Sequence, residues 1–104
     1  MPTPPVDRAS LRSAERADLN DLVALLGAAV PQCLPETVWQ LPWAWSTYVV
    51  VRDGDRLVAA GSLQRVDERR AEIRGLVVAP SHQGNGLASA VVEELLRRGT
   101  PFLP

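Results

Sequence analysis

Lysine is absent from this chain: all 11 basic residues are arginine. That absence excludes a nucleotide-binding loop of the kind that ends in Gly-Lys-Ser or Gly-Lys-Thr. With abundant alanine and proline it also reads as a coding bias, so no single arginine marks a site by itself. Cysteine is nearly absent too, and the lone Cys33 rules out an internal disulfide while leaving an intermolecular one open, which fits a reducing cytosol. No apolar run reaches membrane-spanning length. The opening Met1-Pro2-Thr3-Pro4-Pro5 lacks the charged and apolar regions of a signal peptide, so a cytoplasmic protein is expected. Charge of one sign is also missing: the net value of -1 gives no general attraction to nucleic acid or to an anionic membrane, and neither is expected as a partner. One histidine and one cysteine offer no metal-binding cluster, and no metal is expected.

What remains is an ordinary globular composition, 46% hydrophobic and 22% charged, in 104 residues that suffice for one small core. Residues 1–9 are expected to be a flexible tail and 10–104 a single domain. Ser10 to Ala14 can form a first strand. Asp18 is a plausible N-cap for a helix over Leu19 to Ala29, where Leu19, Leu22, Val23, Leu26 and Val30 recur at helical spacing and Pro31 stops the run. Pro35 to Trp39 can open a short helix, and Pro42 is expected to break whatever forms there. Thr47 to Arg52 and Arg56 to Arg65 flank Asp53-Gly54-Asp55 and read as a hairpin. A polar link, Asp67 to Arg70, leads to a third strand of that meander, Ala71 to Val78. The last helix, about Gly86 to Arg98, carries Leu87, Val91 and Leu95 with flanking Ala88, Val92 and Leu96 on one broad face, and Glu93/Arg97 and Glu94/Arg98 as i,i+4 pairs.

Between that strand and helix lies Gln83-Gly84-Asn85-Gly86-Leu87-Ala88. A strand, a glycine loop and a helix N-terminus together present backbone N–H groups to a phosphate. The spacing of Gln83, Gly86 and Ala88 alone would arise by chance in roughly one chain in ten of this length, so the strand before and the helix after carry the weight. A dinucleotide site of the Rossmann type fits worse, because the third glycine and a following acid-bearing strand are missing. In these residues the chain resembles the GNAT superfamily of acyl-CoA-dependent N-acetyltransferases.

That resemblance implies an α/β fold with an antiparallel-then-mixed sheet flanked by helices, and acetyl-CoA as cosubstrate. It implies that backbone groups of Leu76, Val77 and Val78 bind the pantetheine arm. Amides of Gln83, Gly84, Asn85, Gly86, Leu87 and Ala88, with the Ser89 hydroxyl, would bind the pyrophosphate. Asn85 departs from the basic residue common at its position. Members of that family continue through further strands and a helix after this one, so the sequence reads as truncated after the CoA-binding helix, and a homo-oligomer or a completing partner chain is expected.

Transfer to an amine needs a base and an oxyanion donor. Glu72 resembles the strand-borne glutamate of the histone acetyltransferase branch, and period-2 alternation groups it with Arg74, Leu76 and Val78. It reads either as the base or as a strand glutamate paired with a neighbouring arginine. The Val78 N–H is the family-like oxyanion donor. Arg74 is a candidate for an acceptor carboxylate. His82 reads as a packing or solvent-facing group, and Trp39, Trp43 and Trp45 as acceptor-pocket, core or partner contacts. The function implied is transfer of an acetyl group to a small-molecule amine or amino acid; the alternative is a non-catalytic module that binds a CoA ligand or a protein partner.

Overall fold

The computed structural model describes residues 10–30 and 35–99; the expected tail, Cys33 and the stretch after Gly99 lie outside them. Four strands form one antiparallel sheet in sequential order: β1 (Arg12–Ser13), β2 (Tyr48–Asp53), β3 (Arg56–Arg65) and β4 (Ala71–Val78). Helices α1 (Leu19–Ala28), α2 (Pro35–Trp39) and α3 (Leu41–Ala44) cover one face, and α4 (Leu87–Gly99) covers the other. No strand that would make the sheet mixed occurs among the described residues, and among them β4 is an edge of the sheet.

The two-sided burial explains the continuous apolar run Tyr48-Val49-Val50-Val51. Successive side chains of a strand point to opposite faces. Tyr48 and Val50 therefore join Leu22, Leu26, Leu41 and Ala60 under α1–α3, while Val49 and Val51 join Val58, Ala59, Leu87, Val91 and Leu95 under α4. Both sets are almost fully buried.

Several expectations need correction. The first strand shrinks to two residues. Pro42 does not end helical structure but sits in the first turn of α3, where its missing N–H has no helical partner to lose. The apolar face of α4 is narrower than its sequence suggests, because Ala88 and Leu96 face solvent. Glu94 pairs with Arg98 as expected, its Oε1 accepting from Arg98 Nε at 2.9 Å, and it pairs with Arg97 as well.

Asp18 is the N-cap residue of α1, as expected, but its side chain is used elsewhere. The residue closes a 3-10 turn (Arg16–Asp18) and makes no side-chain bond to the helix it precedes. Its carboxylate is buried and accepts from Arg12 Nη1 and Nη2 at 2.8 and 3.0 Å, from Arg52 Nη2 at 2.8 Å, and from the Glu15 N–H at 2.7 Å. One carboxylate thus joins β1, β2 and the start of α1. These donors, Arg12 foremost, hold its pKa well below the ordinary aspartate value.

Asp18→Asn is expected to cost about 3 kcal/mol at neutral pH, because it leaves two guanidinium groups without their shared anion. Since the folded-state pKa is depressed, the stabilisation is complete above the unfolded value near 4 and fades as pH falls below it. Urea denaturation at pH 7 and pH 3 checks both statements: the gap between wild type and Asp18→Asn should narrow at the lower pH.

Candidate functional site

The shape of β4 is set by one extra residue. Opposite Ala60, Gly61 and Ser62 of β3, β4 runs Arg74, Gly75, Leu76, Val77, and the register shifts there. Gly75 takes the left-handed conformation at φ 63, the usual device for placing a bulge. Its missing side chain also makes room for Tyr48, since a Cβ there would lie 2.8 Å from Tyr48 Cε2 and closer still to the hydroxyl.

The bulge reverses the alternation downstream of it. Glu72 pairs with Gln64 and Arg74 with Ser62, on the face shared with Ala60 and Val77; Val78 pairs with Ala59 on the α4 face. The expected grouping of Glu72, Arg74, Leu76 and Val78 on one face is therefore incorrect, because a period of two holds only within an unbroken ladder. Glu72 is half-exposed and accepts from Arg74 Nε and Nη2 at 3.2 and 2.9 Å.

At the end of β4 the backbone faces the open edge. The Ala79 N–H donates to the Val58 carbonyl at 2.8 Å, and in an antiparallel ladder the intervening residue turns its N–H and C=O the other way. Val78 is that residue. Its carbonyl accepts from Gln83 Nε2 at 3.2 Å, which ties the first residue of the loop back to the strand.

Two grooves meet along this edge. The first, about 480 Å³, lies between the end of α1 and β4 and is lined by Leu25, Ala28, Ala29, Leu76, Val77, Val78, Pro80 and Gln83. The second, about 370 Å³, shares Leu76 to Val78 and Gln83 and continues over His82, Gly84, Gly86, Leu87, Ala88 and Ser89. Leu76 to Val78, Gln83, Gly84 and Gly86 to Ser89 thus line these grooves together, whereas Asn85 and Glu72 are on neither wall. Leu25, Ala28 and Ala29 were not foreseen; the small residues at the end of α1 are the only sequence signal of the space they leave.

Gly84 and Gly86 have φ values of 85 and 76, and a Cβ on either would meet nothing within 4 Å. Their backbone is therefore bare toward open space just before the first turn of α4, an arrangement able to present N–H groups to an anion. Among the described residues no arginine lines either groove. Trp39 and Trp43 are 67% and 73% exposed, which excludes a core role for both, and Trp45 packs partly against the α1–α3 core. His82 is the packing group of the two readings: it is 5% exposed.

Residues 16–100 match the family model described as the acetyltransferase (GNAT) family. Among solved structures, Rv2747 of Mycobacterium tuberculosis, in complex with CoA, superposes with a TM-score of 0.80 at 24% identity, over 88% of this chain and 58% of that one. N-acetylglutamate synthase of Neisseria gonorrhoeae, complexed with coenzyme A and N-acetyl-glutamate, gives 0.80 at 20% identity, over 89% of this chain and 23% of that one. A GNAT-family protein of Novosphingobium aromaticivorans gives 0.65 at 26%, over 95% and 44%. The chain spans between about a quarter and three fifths of the length of these proteins.

Gly75→Ala should cost about 3 kcal/mol, adding a clash with Tyr48 to the strain of positive φ, and Gly84→Ala about 1 kcal/mol from strain alone. Urea denaturation of the two variants checks the difference; equal losses would mean that the bulge does not rest on Tyr48.

Proposed function

From the premise that the chain belongs to the acetyltransferase (GNAT) family, we propose that it binds acetyl-CoA along the β4 edge and transfers the acetyl group to a small-molecule amine or amino acid. The observation that carries this reading is the continuity of the two grooves, which joins the outward backbone of Val78 to the bare backbone of Gly84 and Gly86. The ligands named for the Mycobacterium and Neisseria structures support CoA as the occupant, and the N-acetyl-glutamate of the latter supports an amino acid as acceptor. Acetyl-CoA would supply an acyl group activated as a thioester, whose C–S bond breaks as the amide C–N bond forms, with CoA leaving as the thiolate.

The chain's own residues have distinct tasks in this proposal. Amides of Gln83 to Ala88 hold the pyrophosphate, Asn85 contributing through its backbone, and Ser89 adds a hydroxyl. Leu76, Val77 and Val78 pair with the pantetheine arm as an added strand would. The Val78 N–H donates to the oxygen that gains charge as the acceptor nitrogen attacks. Glu72 takes the proton from the acceptor amine at its carboxylate, directly or through water, after release from Arg74, and Arg74 is then available for an acceptor carboxylate. The uncovered edge of β4 supports association with a second copy or a partner chain. The single cysteine and a CoA ligand favour the cytosol.

A second reading has one observation in its favour. Glu72 is held by Arg74 and lines neither groove, which suits a CoA-binding module without catalysis.

Gly86→Asp should abolish calorimetric binding of CoA while preserving the fold, because a carboxylate then stands where the loop receives an anion. Equal affinity in wild type and Gly86→Asp would refute the site. Glu72→Gln should lower the rate of acetyl transfer by a factor of about 10² to 10⁴ with CoA affinity nearly unchanged, and the deficit should shrink at high pH as the acceptor amine deprotonates unaided. Wild type that binds acetyl-CoA yet acetylates none of a panel of amines and amino acids would select the module; an active Glu72→Gln would keep the enzyme and remove the residue from its mechanism.

A further inference from the structure

His82 ends the 3-10 turn Pro80–His82, directly before Gln83, and its ring is buried. Both ring nitrogens are engaged: Nε2 lies 2.8 Å from Asp53 Oδ2, and Nδ1 lies 2.7 Å from Ser81 Oγ. A carboxylate only accepts, so Nε2 carries the hydrogen and donates to Asp53; in the neutral ring the Ser81 hydroxyl donates to Nδ1. Asp53 is the last residue of β2, 29 positions away in sequence. The hydrogen bond therefore ties the entrance of the glycine loop to the end of the β2–β3 hairpin, across the sheet from the Gln83 to Val78 contact.

Two anchors thus hold the loop at its start. Gln83 fixes it to β4, and His82 fixes it to β2. Beyond them Gly84 and Gly86 have open space around them and no side chain to hold a direction. A buried imidazole with directional bonds orients its own backbone in a way that an apolar side chain of the same size would not. We propose that His82, held by Asp53, is a positioning residue that sets the direction in which the Gln83–Ala88 amides open onto the second groove. The identity of the anion rests on the CoA reading above; the placement of the loop does not.

Asp53→Ala removes the acceptor, Asp53→Asn keeps one at Oδ1, and His82→Leu removes both bonds of the ring. In calorimetric titrations, Asp53→Ala and His82→Leu should each weaken CoA binding about 5- to 20-fold, with Asp53→Asn within about 2-fold of wild type. The double variant should bind no more weakly than the worse single one, since both remove one contact. Pantetheine, which has no pyrophosphate, should bind all of them alike. In the ligand-free protein the amide resonances of residues 83–88 should shift in Asp53→Ala and stay in place in Asp53→Asn. Equal weakening toward CoA and pantetheine, additive losses, or unmoved amide resonances in Asp53→Ala would overturn the proposal. Wild type that binds no CoA would sink the ligand reading alone, and the amide resonances would still decide the role of His82.

Discussion

The bulge at Gly75 is the constraint on which the candidate site depends. Tyr48 occupies the space that a side chain at Gly75 would take, so the bulge and the core beneath it require one another. Downstream of the extra residue, Val77 enters the core under α1–α3 and Val78 the core under α4. Both side chains are absorbed by packing, which leaves the backbone as the feature of Val78 presented at the open edge. Without the bulge the same residues would exchange faces, and each core would lose its edge residue.

Much of this architecture is legible in the sequence because it follows from local periodicity. The bounds of β3 and β4 and the hairpin turn at Gly54 follow from apolar runs cut by glycine and charge. What escapes is the phase within a strand. Gly75 inside Ala71 to Val78 is the available signal of a bulge, yet a glycine there does not state which way the chain turns afterwards. The grouping of Glu72 with Val78 fails for that reason, although pairing with a neighbouring arginine is one of the two readings that the residue types allow.

Long-range electrostatics was the least legible part. In a chain whose basic residues are all arginine, nothing singles out Arg12 and Arg52 as partners of Asp18, and Arg52 stands 34 positions away. A helix-capping role for Asp18 was the local expectation, but a carboxylate with five oxygen–donor contacts from two arginines and one backbone N–H gains more from those than from one cap bond. His82 hides similarly: its adjacency to the loop is visible in sequence, whereas Asp53 becomes its neighbour only once β2 and β4 have β3 between them.

The charge distribution around the grooves bears on how an anion could be held there. Arg12, Arg52, Arg70, Arg74, Arg97 and Arg98 pair with Asp18, Asp21, Asp67, Glu72 and Glu94, and no arginine among the described residues lines the groove walls. Asn85 adds no charge. In the proposed site, attraction for a diphosphate would come from backbone N–H groups and the N-terminal end of α4, whose field contributes about 0.3 to 2 kcal/mol and falls off within a turn. Recognition of that kind depends on aim rather than on net charge. A point charge tolerates displacement of its partner, but a set of amides loses its bonds when the loop rotates. In the proposed site that requirement gives a use to the two fastenings of the segment before Gly84, to β4 through Gln83 and to β2 through His82, while the glycines after it stay bare.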